Sequence, residues 1–157
     1  MSRTPEIVVV GGGVTGASIA WHLARRGARV ILVEEHGIAA AASGASAGGV
    51  RQQGRDPREM PLAIAAISRW VDLERELDAD LHYHRDGHLA VYEREADLPI
   101  ARMQQAEQYA LGLEIELVDG AALRELCPGL APHIVAGTYT PSDGHANPTA
   151  TSEAFAR

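Results

Sequence analysis

Four β-branched residues, Ile7-Val8-Val9-Val10, run straight into Gly11-Gly12-Gly13. No other stretch of the chain so narrows what it can fold into. A short, continuous β-branched run suits a strand buried on both faces, as in a parallel sheet. The glycines break that strand. Val14 to Arg26 then reads as a helix, with Ala17, Ala20, Leu23 and Ala24 along one side. Gly27 stands where a left-handed cap ends a helix, and Arg25 and Arg26 complement the dipole of the last turn. Val30-Ile31-Leu32-Val33 is a second buried strand. Strand, tight turn, helix and strand within about thirty residues make one parallel crossover unit. The fold class expected is α/β, a Rossmann-like nucleotide-binding domain with a parallel sheet.

Gly11, Gly13 and Gly16 complete G-x-G-x-x-G at the strand-to-helix turn. Each glycine has its own physical reason. Gly11 permits the tight turn, Gly13 lets a pyrophosphate approach the backbone, and Gly16 lets helix and strand pack closely. Free N–H groups and the dipole at the helix start attract phosphate oxygens. Glu34 follows Gly16 by eighteen residues, at the end of the second strand. A carboxylate there accepts hydrogen bonds from ribose hydroxyls and repels a 2′-phosphate, which disfavours NADP. A glycine-rich turn without a ligand is the bland alternative, but it does not account for strand, turn, helix and terminal acid together.

Downstream, Ala39 to Ala42 has the makings of one helical turn, and the Gly/Ala/Ser segment Ala42 to Gly49 has too little bulk for a core element. Such a segment lets the backbone approach another group closely. Asp56 and Pro57 open a long helix, with Met60, Ile64, Ile67 and Val71 as its stripe and Trp70, Leu73 and Leu77 widening it. Asp86-Gly87 is the favoured turn of a two-residue hairpin, here joining Leu81–Arg85 to His88–Tyr92. A helix begins at Asp97-Leu98-Pro99 and ends near Gly112. Leu113, Ile115 and Leu117 alternate as a strand, and Asp119 caps a short helix to Leu126. Ile134 to Thr140 is a last strand. Asn147-Pro148 opens a helix that runs to Arg157 without a closing cap. That ending leads to the expectation that the chain is a fragment of a longer or split protein.

The 157 residues suffice for a domain with a hydrophobic core. At 46% hydrophobic and 22% charged they exclude a disordered or collagen-like chain. Asp and Glu outnumber basic residues 21 to 14, the reverse of a general nucleic-acid binder. Every basic residue is Arg, which excludes lysine Schiff-base chemistry from this chain. The one cysteine, Cys127, excludes a disulfide framework and a Cys-x-x-Cys metal site. No apolar run reaches transmembrane length. Arg3 precedes an apolar stretch, yet Glu6 and the glycines interrupt it and no cleavage site follows, so a cytoplasmic location is expected rather than a signal peptide.

Other candidates carry less. His82 and His84 share a face of the expected hairpin with His88 nearby, but no carboxylates complete a ligand set, and no metal is expected. His145 reads as a turn residue, and Cys127 as an inert thiol without an activating base. Asp78 and Asp80 read as solvent-facing acids beyond a helix end. Trp70 reads as core, and Glu74-Arg75-Glu76 as a solvated face.

A classical NAD domain would continue promptly with a second crossover helix and a third parallel strand. This chain has its Gly/Ala/Ser loop instead. The run VVVGGGVTGASIAWHLARRGARVILVEE, followed by ASGASAGGVRQQ, resembles the N-terminal FAD site of the D-amino acid oxidase-like superfamily, of glycine oxidase, sarcosine oxidase and D-amino acid dehydrogenase type. DGHLAVYE resembles that family's entry into an α+β substrate domain, VDGAALRELCPGL a stretch crossing it, and TYTPSDGHANP the return to the FAD domain. The implied division is 1–80 for the FAD part, 81–140 for the start of the substrate domain and 141–157 for the return.

The resemblance implies that Gly11, Gly13, Val14, Thr15 and Gly16 face the FAD pyrophosphate. It implies that Glu34 and the backbone of Glu35 hold the adenosine ribose, and that Ala42, Ser43, Ala47, Gly48 and Gly49 run along the ribityl chain and flavin. Arg51 follows the flavin-contacting glycines, where a cation stabilises a reduced, anionic flavin; an ordinary structural arginine fits the residue as well. The loop lacks the histidine through which some members attach flavin, since His36 precedes it, so non-covalent FAD is expected. The implied reaction is oxidation of the C–N bond of an amino acid or N-methylated glycine, with the catalytic residues expected beyond Arg157. Two alternatives stay open: a 2-hydroxy acid or polyol-phosphate dehydrogenase of the same fold, and a non-catalytic nucleotide-binding subunit. The expected partners are a small amine or amino acid substrate and a C-terminal half, another subunit or a second copy.

Overall fold

The computed structural model describes residues 4–157, so Arg3 and its place in the leader argument lie outside the described residues. The described chain divides into two compact units. One holds the residues through Gly49 together with Asp72–Tyr83 and His145–Arg157; the other holds Val50–Val71 and His84–Gly144.

The first unit is built on β1 (Ile7–Val10), α1 (Val14–Arg25) and β2 (Val30–Val33). β1 and β2 pair in parallel, with Ile7 opposite Val30 and Val10 opposite Val33. Gly27 has φ +87° and donates its N–H to Ala24 O at 2.9 Å, ending α1 as its position requires. α5 (Pro148–Phe155) packs on α1. Its cap is the expected one: Asn147 Oδ1 accepts from Ala150 N at 2.9 Å. Trp21 meets Phe155 edge-on with ring centroids 5.6 Å apart, and the Arg25 guanidinium lies 4.5 Å over the Trp21 ring.

The strands are not covered on both faces. Along each, burial alternates. Ile7 and Val9 lie on the side of α1, while Val8, Val10, Ile31 and Val33 are 57%, 83%, 46% and 48% exposed. A continuous β-branched run therefore reports a strand that is apolar on both faces, without guaranteeing a cover for each. Four aliphatic side chains in register form a patch that water disfavours. The purified chain is expected to elute from gel filtration larger than a monomer, and paired Val10→Ser and Ile31→Ser changes to restore the monomer. A sharp monomer before substitution contradicts the expectation.

The second unit contains a three-stranded antiparallel sheet. β4 (His88–Tyr92) and β5 (Glu116–Asp119) flank β6 (Ala136–Thr140). His88 stands opposite Thr140, and Leu117 opposite Thr138. α3 (Leu98–Ala110) and α4 (Gly120–Leu126) complete it, the former preceded by a single 3-10 turn at Glu95–Asp97. Val118, Leu123 and Ile134 form one core cluster, packed by Leu89, Leu130 and Tyr139; Met60, Leu113 and Ile115 form another. Two-residue strands β3 (Gly49–Val50) and β7 (Gly144–His145) stand where the chain passes between units. α2 (Met60–Leu77) begins among residues of the second unit and ends among those of the first.

Several local expectations change. α2 starts at Met60 rather than at Asp56-Pro57, and the Asp119 side chain makes no cap bond to α4. The hairpin about Asp86-Gly87 does not form; β4 pairs with β6 instead. The reason lies at the end of α2, where Glu74 Oε1 accepts the N–H groups of Leu81 at 2.9 Å and Tyr83 at 3.3 Å, diverting donors that a hairpin strand would use. Glu74 is thus a half-buried cap rather than part of a solvated face, and Glu76 pairs with Arg25 at 3.4 Å. Leu113 and Ile115 are buried, but the strand itself starts at Glu116. Val71 falls off the apolar stripe at 58% exposed, because Leu73 and Leu77 take the buried side at the end of α2.

Candidate functional site

The glycine turn sits between β1 and α1. Gly11 adopts φ +105° and donates its N–H to Val33 O at 2.8 Å, turning the chain out of the strand while holding it to β2. Gly16 lies against the Gly11 carbonyl so closely that any Cβ would overlap that oxygen. Gly13 precedes the first residue of α1. A Cβ there would lie 2.9 Å from Ser43 Oγ, so the absent side chain leaves room for the loop to approach. Among the described residues, the N–H groups of Gly13 and Thr15 make no hydrogen bond. They join the dipole of a twelve-residue helix in presenting positive potential at its start.

Two side chains distant in sequence complete the turn. Glu34 Oε2 accepts from Gly12 N, and Oε1 accepts from His36 N at 3.0 Å. The N–H groups of His36, then Gly12, hold the Glu34 carboxyl below its ordinary pKa. Glu34 is therefore anionic at neutral pH. Its linkage contribution to stability is present above the ordinary carboxylate value and is lost as pH falls through the lowered one. Ser43 Oγ accepts from Val14 N at 3.0 Å and so caps α1 from 29 residues away. Sequence reasoning placed Ser43 only along a flavin loop; a serine in a polar segment gives no sign of which helix it caps.

The remaining loop residues vary. Ala42, Ala47 and Gly49 are exposed, and Glu35 is exposed beside His36 at 3.8 Å. Gly48 has φ +74° and its α-carbon faces Ala146 O, with no room for a methyl. Ala146 N donates to Gly48 O at 2.9 Å, tying the loop to the segment before α5. The residues from Gly11 to Gly49 singled out by sequence thus all lie in one unit. Arg51, exposed, lies in the other.

The second unit holds a buried polar network that sequence reasoning missed. Asp143 is fully buried. Its Oδ1 accepts from Gln52 N at 2.8 Å and Gln52 Nε2 at 2.9 Å, and its Oδ2 accepts from Gln53 N at 3.0 Å. Gln53 Nε2 donates to Thr138 O at 3.0 Å and Thr138 Oγ1 at 2.6 Å. Gln53 Oε1 lies 3.0 Å from His88 Nδ1. Burial holds the His88 imidazole below its ordinary pKa, the Arg51 cation adds to this, and the Asp143 carboxylate opposes it. In sequence, Asp143 stood out only as part of TYTPSDGHANP, and the two glutamines only as the end of ASGASAGGVRQQ.

No group of three or more metal-ligating side chains occurs among the described residues. His82 is exposed at φ +50° and bonded through its N–H to Asp80 Oδ1 at 2.8 Å, so it shares no strand face with His84. No described helix is long and apolar enough to cross a membrane.

A parallel β-α-β unit with a glycine turn, an open helix start and an anionic residue at the end of the second strand defines an α/β nucleotide-binding protein. The family model for FAD dependent oxidoreductases matches residues 6–157, and the chain belongs to that family. Mouse (Mus musculus) mitochondrial dimethylglycine dehydrogenase is 28% identical over 153 residues, covering 96% of this chain and 18% of its own. One subunit of the opine oxidase of Rhizobium meliloti is 29% identical over 154 residues, covering 90% and 41%. Among solved structures, glycine oxidase from Bacillus cereus matches with a TM-score of 0.86 and 29% identity, over 98% of this chain and 43% of that one. The chain thus spans less than half the length of each of these relatives.

Proposed function

We propose that this chain is the FAD-holding part of an enzyme that oxidises the C–N bond of an amino acid or N-methylated glycine. The observation that carries the dinucleotide is the anionic Glu34 carboxylate at the glycine turn, where Gly16 permits the closest backbone approach. The substrate class is supported by relatives named for dimethylglycine, opine and glycine oxidation. FAD, when bound, supplies the two-electron acceptor. The N–H groups of Gly13 and Thr15, beside Gly11, Val14 and Gly16, receive the pyrophosphate. Glu34 accepts from the ribose hydroxyls, with the Glu35 backbone alongside, and its charge rejects a 2′-phosphate. Ala42, Ser43, Ala47, Gly48 and Gly49 line the path of the ribityl chain and ring. Residues 1–80 and 141–157 hold the cofactor, and 81–140 begin the substrate domain. A further polypeptide segment or subunit supplies the substrate anchor.

The chain is expected to purify yellow and to release intact FAD on heating, since the loop from Ala42 to Gly49 has no side chain suited to a covalent flavin bond. A colourless protein that takes up no added FAD refutes the reading. Turnover of 2-hydroxy acids or a polyol phosphate, with none of amino acids, refutes the substrate class alone. Glu34→Gln is expected to weaken FAD binding about tenfold or more, because hydrogen bonds to a charged acceptor contribute roughly 1.5–3 kcal/mol. Titration calorimetry with FAD measures it, and an unchanged affinity removes Glu34 from the ribose.

A further inference from the structure

The Gly/Ala/Ser segment of the first unit has little bulk with which to hold itself. Ala40, Ala41, Ala42, Ala45 and Ala47 are exposed, and only Ala39 at its start is a buried apolar residue. Burial therefore contributes little to keeping the segment in place. Backbone conformation works against it, because Ala39 sits at φ +60°, in the left-handed region that disfavours alanine. Hydrogen bonds hold the segment instead, all within the first unit. Ala39 N donates to Gly12 O at 3.0 Å at one end, and Ala146 N donates to Gly48 O at 2.9 Å at the other. Gly44 N donates to Ala39 O at 3.0 Å, folding the segment on itself, and a methyl at Gly44 would overlap that oxygen. Midway, Ser43 Oγ accepts from Val14 N at 3.0 Å. Among the described residues, this is the one hydrogen bond that joins residues 40–47 to a strand or helix. The contact needs the bare α-carbon of Gly13, since a Cβ there would stand 2.9 Å from Ser43 Oγ.

We infer that Ser43 is the positioning residue of the cofactor site: its bond to Val14 N seats the Gly/Ala/Ser segment on the start of α1 before FAD arrives, so that FAD enters a formed cradle. This rests on the FAD reading of the glycine turn and adds how that site is assembled. The Val14 N–H is committed to the protein, while the N–H groups of Gly13 and Thr15 remain open at the helix start. A ligand that meets a formed site loses no affinity to the ordering of a loop. Without the Ser43 hydroxyl, the two ends of the segment stay bonded and its middle lifts from α1 in a fraction of the molecules. Strain at Ala39 favours the lifted form, and no buried side chain among residues 40–47 opposes it. FAD then finds the formed site only in the seated fraction, and its apparent affinity falls by that fraction. Ser43 acts through the segment it seats. The predicted signature is therefore a slower association of FAD with an unchanged dissociation.

Hydrogen exchange read by NMR on the FAD-free 157-residue chain tests the seat without any cofactor. The Val14 N–H is expected to be protected, although it lies in the first turn of α1. In Ser43→Ala the Gly44 N–H, bonded within the segment, is expected to exchange faster, while the amides of β1 and β2 keep their protection and show that the unit still folds. Stopped-flow mixing with FAD, followed by flavin fluorescence, is the second measurement. Ser43→Ala is expected to lower the association rate about three- to thirtyfold, the factor that a lost helix cap carries, and to leave the dissociation rate as it was. Ser43→Thr keeps the hydroxyl and is expected to restore the parent's association rate. An unprotected Val14 N–H in the parent overturns the inference whether or not the variant folds. So does a Ser43→Ala protein that is less stable in urea yet takes up FAD at the parent's rates, since Ser43 is then a helix cap and nothing more. A faster dissociation with unchanged association also overturns it, because Ser43 then holds FAD itself. In these cases FAD still binds, and the proposed function stands. If the parent takes up no FAD, the proposed function fails and the seating role for FAD fails with it.

Discussion

Gly16→Ala is expected to cost the first unit about 2 kcal/mol or more and to lower FAD affinity at least tenfold. Two effects oppose one another. Alanine inside a helix is ordinarily worth about 0.5–1 kcal/mol over glycine. Against this, the added methyl would overlap Gly11 O, while Val9 Cγ1 at 3.5 Å is an ordinary contact. Overpacking against side chains costs roughly 1–3 kcal/mol, and backbone yields less readily than a rotamer. The clash therefore wins. Because Gly11 N is bonded to Val33 O, relief requires moving α1 or opening the β1–β2 join, and either displaces the N–H groups of Gly13 and Thr15. Urea denaturation and FAD titration together measure the two effects. A variant as stable as the parent would mean that α1 shifts freely, and the close approach would lose its significance.

Asp143→Ala is expected to destabilise the second unit by about 3–5 kcal/mol. The carboxylate is fully buried and serves three donors: Gln52 N, Gln53 N and Gln52 Nε2. Each buried donor left unpaired costs roughly 1–3 kcal/mol. The Gln52 side chain keeps Ser142 Oγ at 2.9 Å, so the two backbone N–H groups carry most of the loss. Set against a typical total of about 5–15 kcal/mol, this is a large fraction. Asp143→Asn should fall between parent and Ala, since its oxygen serves Gln52 while its NH2 group confronts Gln53 N–H. Thermal melts of the three proteins order them, and a melting point for Asp143→Ala equal to the parent's would show that water replaces the carboxylate without loss.

The two variants probe parts of the chain that differed in how far sequence exposed them. The glycine turn was readable because its glycines, the strand before them and the helix after them lie in one short window. β1 and β2 appear at their expected limits, and α1 ends one residue early, at Arg25. The α5 cap at Asn147 was equally local. What went unread was side-chain capture of backbone donors and pairing between distant strands. Glu74 draws off the N–H groups of Leu81 and Tyr83, so Asp86-Gly87 marks a turn without a hairpin. The partner of β4 is β6, more than forty residues on, and no periodicity within either strand announces it. Exposure of Val8 and Val10 was misjudged for the same reason, since an apolar strand states its need for cover and not whether cover is met.

By itself, then, the sequence determined the β-α-β unit, its glycine turn and the acid at the second strand's end, because strand period, helix caps and glycine sterics act between near neighbours. Only the tertiary structure decided that Asp143 holds Gln52 across 91 positions, that Gln53 aims His88, and that Ser43 caps α1. A side-chain hydrogen bond imposes no repeat on the sequence, and its two ends become neighbours only when the sheets and helices between them have folded.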